Sequence, residues 1–140
     1  MGTIAFSQGN AESKIYTFDI FPWKSFNSHL SDEYFSEGKV QQIIGDLSDI
    51  IFFEQYVALL NKAKIIFIDA PKDGVFEYAF IENLTKLEKL KSKILIIDDI
   101  KFVNMLDLWH NIASPKIDVS SFGHWSGTGI VDISNGLEIA

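Results

Sequence analysis

Five aspartates close apolar runs in this sequence. Asp19 follows Ile15-Tyr-Thr-Phe18, Asp46 follows Ile43-Ile-Gly45, Asp69 follows Ile65-Ile-Phe-Ile68, and the pair Asp98-Asp99 follows Ile94-Leu-Ile-Ile97. Carboxylates gathered on one edge repel each other unless they share a cation, a proton or a hydroxyl-rich ligand. Asp69, Asp98 and Asp99 offer three hard oxygen donors, which suit a divalent ion such as Mg²⁺ with water and substrate completing its shell. Lys72, one turn beyond Asp69, could act as a general base if burial and a nearby cation depressed its pKa. Read alone, it is a salt-bridging loop lysine. An acidic strand end also suits a ribose, because one carboxylate accepts from both hydroxyls. Any single Asp at a strand end is explained as a turn former or helix cap. Four candidate strands out of four ending this way points to a shared site.

Those aspartates need elements that bring them to one edge. The segments Lys14–Asp19, Val40–Asp46, Lys64–Asp69 and Lys93–Asp98 are short and β-rich, and the last three are almost continuously apolar, as strands buried on both faces are. Between them lie helical periods. Phe76, Phe80, Leu84, Leu87 and Leu90 repeat at three and four, Asp49–Leu60 behaves alike with Ser48 as N-cap, and Phe102–Ala113 ends before Pro115. Strand and helix in alternation predict an α/β fold with a mostly parallel sheet and right-handed crossovers. Ile117–Phe122 and Gly127–Ile133 are too close for a helical crossover and predict a C-terminal antiparallel hairpin. In open α/β sheets ligands bind at the carboxyl edge, where all five aspartates would lie.

Composition narrows the chemistry. The chain has 140 residues with 12 basic and 19 acidic side chains, a net charge of −7, and 47% hydrophobic residues, as one folded domain would. The acidic balance argues against nucleic acid as a partner. Every basic residue is Lys, so no guanidinium fork is available for phosphate or carboxylate. Without Cys there are no disulfides, thiol nucleophiles or Cys-ligated zinc. No signal segment or membrane-spanning run is visible, so the expectation is a cytoplasmic protein with no membrane partner. Phe21-Pro22-Trp23 could supply an aromatic wall or pack as a loop. His124 and Trp125 read as packing or turn residues before an acid/base or substrate-wall role, and His29 and His110, without metal-ligand spacing, as surface or helix residues. Lys86, Lys89, Lys91 and Lys93 read as a solvated face complementing a helix dipole.

Taken in order, these motifs resemble a class I S-adenosylmethionine-dependent methyltransferase. Phe67-Ile-Asp69-Ala-Pro-Lys72-Asp73 is similar to the segment after the fourth strand of the catechol and caffeoyl-CoA O-methyltransferases, and Ile97-Asp98-Asp99-Ile100 to the Asp-Asn pair after the fifth, with Asp99 in the place of Asn. The resemblance implies a Rossmann-like fold, S-adenosylmethionine as cofactor, and Mg²⁺ held by Asp69, Asp98 and Asp99. It makes Lys72 and Asp69 the catalytic residues, acting on a small-molecule hydroxyl. Asp19 would hold the cofactor ribose and Asp46 would contact its adenine, which the aromatic surface at Phe21, where it does not simply pack as a loop, could flank. Ser121–Gly129 resembles the family's sixth-to-seventh strand hairpin. Such enzymes are often homodimers, although no interface is legible here.

One part of the family pattern is missing. The first strand and its Gly-rich loop have no counterpart, and Met1–Gln8 resembles the end of the helix that follows that loop. The family's strand order is 3-2-1-4-5-7-6, so the missing strand is a central one. A truncated domain, direct pairing of Ile15–Phe18 with Ile65–Ile68, or a separately supplied segment would each answer this. The alternative function is an inactive remnant or non-catalytic binding module of the same fold. A phospho-acceptor receiver domain also uses an acidic pair, an Asp and a Lys, but in a different order along the chain.

Overall fold

β-Branched and aromatic runs set the strands, and capped amphipathic periods set the helices between them. The computed structural model describes residues 2–9, 12–26, 31–36, 38–89, 92–123 and 125–140. It divides into two compact units, residues 1–47 and 48–140.

The first unit holds helix α1 (Gly2–Gly9), strand β1 (Ile15–Asp19), a 3₁₀ turn at Trp23–Ser25, the short helix α2 (Asp32–Ser36) and strand β2 (Val40–Ile44). β1 and β2 pair in parallel, with Asp19 opposite Ile44. The helix α2 went unpredicted. At five residues, it carries too little apolar period to be legible.

The second unit alternates as predicted: α3 (Ile50–Lys62), β3 (Ile65–Ile68), α4 (Val75–Leu84), β4 (Ile94–Asp98), α5 (Val103–Asn111), β5 (Lys116–Asp118) and β6 (Thr128–Asp132). Its sheet is ordered β3-β4-β6-β5. β3 and β4 are parallel, while β6 runs antiparallel to both β4 and β5. The chain is therefore α/β, with helices and two sheets. Phe53, Ile81, Leu95, Ile97, Leu108 and Val131 anchor this unit's core, each at most 1% exposed. Phe53 meets Phe80 edge to face at 6.2 Å.

Several local expectations shift. Asp49, not Ser48, caps α3, because its carboxylate accepts the Ile51 N–H at 2.8 Å. The stripe expected to run on to Leu90 ends as a helix at Leu84, and Leu90 itself lies outside the described residues. The first hairpin strand is only Lys116–Asp118, since Ser120–Phe122 winds into a 3₁₀ turn started by Asp118, which accepts the Ser120 N–H at 2.8 Å. No helix is long and apolar enough to cross a membrane among the described residues.

Candidate functional site

Parallel pairing of β3 with β4 aligns Ile68 with Ile97, and this register carries Asp69 to the side of Asp98. The structure thus gathers Asp69, Asp98 and Asp99, with a carboxylate oxygen of each within 4.8 Å of the others. Exposure grades across the cluster: Asp69 is exposed, Asp98 half-buried and Asp99 buried.

Lys72 closes the cluster. Its ammonium pairs with the Asp69 carboxylate and lies 3.0 Å from Asp99 Oδ2. Burial pulls against the charged form of Lys72, but hydrogen bonds and attraction from Asp69 and Asp99 more than offset it and raise its pKa. This direction is opposite to what a general base needs. As the residues stand, Lys72 is the counter-ion of the aspartates and keeps its proton.

The backbone at this site is strained. Among the described residues the non-glycine positions with positive φ are Lys72 (60°), Ser92 (59°) and Asp99 (59°). Two of the three meet in one ion pair. Such strain persists only where surrounding structure holds it, and here the fasteners are visible. Glu77, 1% exposed on α4, accepts the Lys72 N–H at 2.7 Å and the Gly74 N–H at 3.1 Å. Asn104, on α5, donates to the Lys72 carbonyl at 3.4 Å. Asp99 accepts from the buried Ser126 hydroxyl, its carbonyl accepts the Phe102 N–H at 3.0 Å, and Thr128 donates to Asp98 at 3.4 Å.

Glu77, Asn104, Ser126 and Thr128 were not singled out in the sequence. A Glu at the third position of a helix is a legible capping signal. The two hydroxyls become relevant only once β6 is known to lie beside β4. Phe102 and Trp125 border the same edge as an exposed aromatic pair, with ring centroids 5.8 Å apart. His124 and His29 lie outside the described residues, and His110 is exposed at the end of α5.

The remaining predicted site residues belong to the first unit. Asp19 ends β1, and its Oδ1 accepts the Phe21 N–H at 2.9 Å. The Gly45 N–H donates to the Asp19 carbonyl at 2.9 Å, so the turn bearing the exposed Asp46 springs from the same carboxyl end. Gln42 pins the loop beyond Asp19, accepting the Trp23 N–H at 2.8 Å and donating to the Phe21 carbonyl at 3.1 Å. Phe21 is 54% exposed, while Trp23 stacks on Phe35 at 4.9 Å. A cleft of about 180 Å³ opens there, lined by Thr3, Thr17, Asp19, Trp23, Phe26 and Gln42 among others.

One reading of the lysines is corrected. Lys93 is not on a solvated face: it is 1% exposed and donates its ammonium to the Leu60 carbonyl at the end of α3. The start of β4 lies under that helix end, so the side chain is buried while its head satisfies a terminal carbonyl. Lys91 lies outside the described residues.

Comparison of the chain with protein-family models, with curated proteins and with solved structures finds no match.

Proposed function

We propose that this chain carries a class I S-adenosylmethionine-dependent methyltransferase domain of the O-methyltransferase type, with a small-molecule hydroxyl as acceptor. Strand order is the observation that supports it. Taking the first strand out of the order 3-2-1-4-5-7-6 leaves a parallel pair and a four-stranded sheet ordered 4-5-7-6. The chain has a parallel pair, β1-β2, and a sheet ordered β3-β4-β6-β5. A Rossmann-like sheet lacking its first strand is the finer fold this favours.

The donor set of Asp69, Asp98 and Asp99 fits a hard divalent ion, provided that the Lys72 ammonium yields its place between Asp69 and Asp99. Held by those three residues, Mg²⁺ would lower the pKa of an acceptor hydroxyl. Before an ion enters, Lys72 holds the carboxylates of Asp69 and Asp99 in place; displaced by the ion, its Nζ would carry a proton beside them. Asp19 presents one carboxylate oxygen to ribose hydroxyls, with Asp46 and Phe21 toward the adenine. S-adenosylmethionine supplies the methyl group from its sulfonium. No Gly-x-Gly-x-Gly turn after a strand exists in the 140 residues to receive the methionine end, so the chain by itself does not fit that part of the cofactor.

A second reading, a non-catalytic module of the same fold, is favoured by Lys72: its raised pKa and two ion pairs give Asp69 and Asp99 a counter-ion from within the chain. One experiment separates the two. A strand and Gly-rich loop are fused ahead of Met1, and a catechol and polyphenol panel is assayed with S-adenosylmethionine and Mg²⁺. Methylated product that is lost in Asp69→Asn and Asp98→Asn supports the transferase. A folded fusion that makes no product leaves the non-catalytic module.

A further inference from the structure

We infer that Glu77 is the positioning residue of the carboxylate site, locking the backbone of Lys72 in the conformation from which its ammonium reaches both Asp69 and Asp99. The inference rests on Lys72 being a working residue of the function proposed above, but its geometry can be tested without any methyl donor.

Glu77 is the third residue of α4 and is 1% exposed. A carboxylate so deeply buried needs partners for both oxygens. It finds them in the loop carrying Lys72: Oε1 accepts the Lys72 N–H at 2.7 Å and Oε2 the Gly74 N–H at 3.1 Å. Lys72 has φ 60°, a region that residues with a Cβ avoid. Gly74, two residues on, has φ 79° at no such cost. Between them Asp73 turns outward and accepts the Val75 and Phe76 N–H groups at 2.8 and 3.0 Å. Two carboxylates thus divide the work at the start of α4. Asp73 caps the helix from outside, while Glu77 grips the preceding loop from inside.

The grip has a direction. The Lys72 peptide is held at its N–H by Glu77 from α4 and at its carbonyl by Asn104 from α5. From the backbone so fixed, the side chain runs to Asp69 and Asp99. A relaxed backbone at Lys72 would swing the Cα–Cβ bond away from that pair. A carboxylate is needed because a Gln at position 77 would offer one acceptor oxygen and set its NH₂ against the other N–H.

The test compares wild type, Glu77→Gln and Asn104→Ala by amide hydrogen exchange and by the ¹⁵Nζ resonances of the lysine side chains, with Tm recorded for each. In Glu77→Gln the Lys72 and Gly74 amides are expected to exchange at least tenfold faster. The slowly exchanging ammonium signal of Lys72 should disappear while that of the buried Lys93 persists. Asn104→Ala should move the same signals less. Unchanged protection and an unchanged Lys72 signal in a folded Glu77→Gln protein would overturn the proposal. If Glu77→Gln does not fold, the double variant with Lys72→Gly decides, because glycine takes the left-handed conformation freely. Recovery of folding in the double variant supports the lock, and no recovery assigns Glu77 to the fold at large and overturns it. Failure of methyl transfer in the fusion protein would leave all of these readouts as they are.

Discussion

Lys72 and Asp99 meet in a 3.0 Å ion pair, and each holds a left-handed backbone, φ 60° and 59°. Neither is a glycine, so each conformation costs on the order of 1–3 kcal/mol that its surroundings must offset. The offsets come from different elements: Glu77 on α4 for Lys72, and Ser126, just before β6, for Asp99. The strain is thus fastened independently at both ends of one ion pair, by elements far apart in the sequence.

The raised pKa of Lys72 sets an alkaline dependence. The folded state keeps this proton more tightly than the unfolded chain does. The stabilisation is therefore complete below the ordinary lysine value of 10.5 and is lost as pH rises through the folded value. Asp99→Asn removes one of the two carboxylates while tolerating the left-handed backbone. In that variant the Lys72 pKa should fall back toward its ordinary value, read by ¹³Cε chemical shift, and the alkaline loss of stability should become shallower.

Lys93 carries the opposite sign. Burial, with a smaller contribution from Lys64, lowers its pKa. Between that lowered value and 10.5 the unfolded chain binds more protons, so this residue makes stability rise with pH. Lys93→Met should flatten that rise in urea unfolding followed across alkaline pH. It should also fold normally, since Leu60 keeps the Ala63 N–H at its carbonyl.

A divalent ion and the Lys72 ammonium compete for the same oxygens. Lys72→Met should therefore tighten Mn²⁺ or Mg²⁺ binding at the cluster about tenfold or more, since removing one adjacent positive charge is worth roughly 1–4 kcal/mol at 4 Å. Titration calorimetry of wild type and variant measures this, and equal affinity in both would mean that the ion does not use Asp69 and Asp99.

Gly129 on β6 faces Trp109 of α5 with no room for a side chain. A Cβ there would come within 2.7 Å of the ring Cη2. Gly129→Ala should cost on the order of 1–3 kcal/mol by overpacking, seen as a lower urea midpoint.

S-adenosylmethionine should bind the 140-residue chain weakly or not at all, because no Gly-rich turn receives its methionine end. Calorimetry showing micromolar affinity would contradict this and would require a different seat for the cofactor.

The strand-end aspartates were legible because apolar runs such as Ile65–Ile68 and Ile94–Ile97 are too short for helices and end abruptly in Asp. Their neighbourhood followed from alternation alone, since consecutive parallel strands with a helical crossover are usually adjacent. The fasteners were not legible. Ser126 and Thr128 reach Asp99 and Asp98 from 27 and 30 residues away, across an antiparallel strand whose position in the sheet no local pattern specifies. Lys93 failed for a related reason: four lysines in eight residues look like a charged surface, and only the register of β4 under α3 turns one of them inward. The direction of the Lys72 pKa depended on which carboxylates reach its ammonium, a matter of ångströms that spacing does not encode.

The placement of β6 between β4 and β5 has a consequence for synthesis. The ribosome delivers β4 and β5 before the strand that must lie between them, so during translation the flank of β4 waits without its partner. Val131, fully enclosed in the finished core, lies on that later strand, opposite Leu95. The second unit can therefore close only after β6 has followed β4 and β5 out of the ribosome. Until then Leu95 and Ile97 lack the strand that pairs beside them, the kind of transiently open apolar edge that invites aggregation.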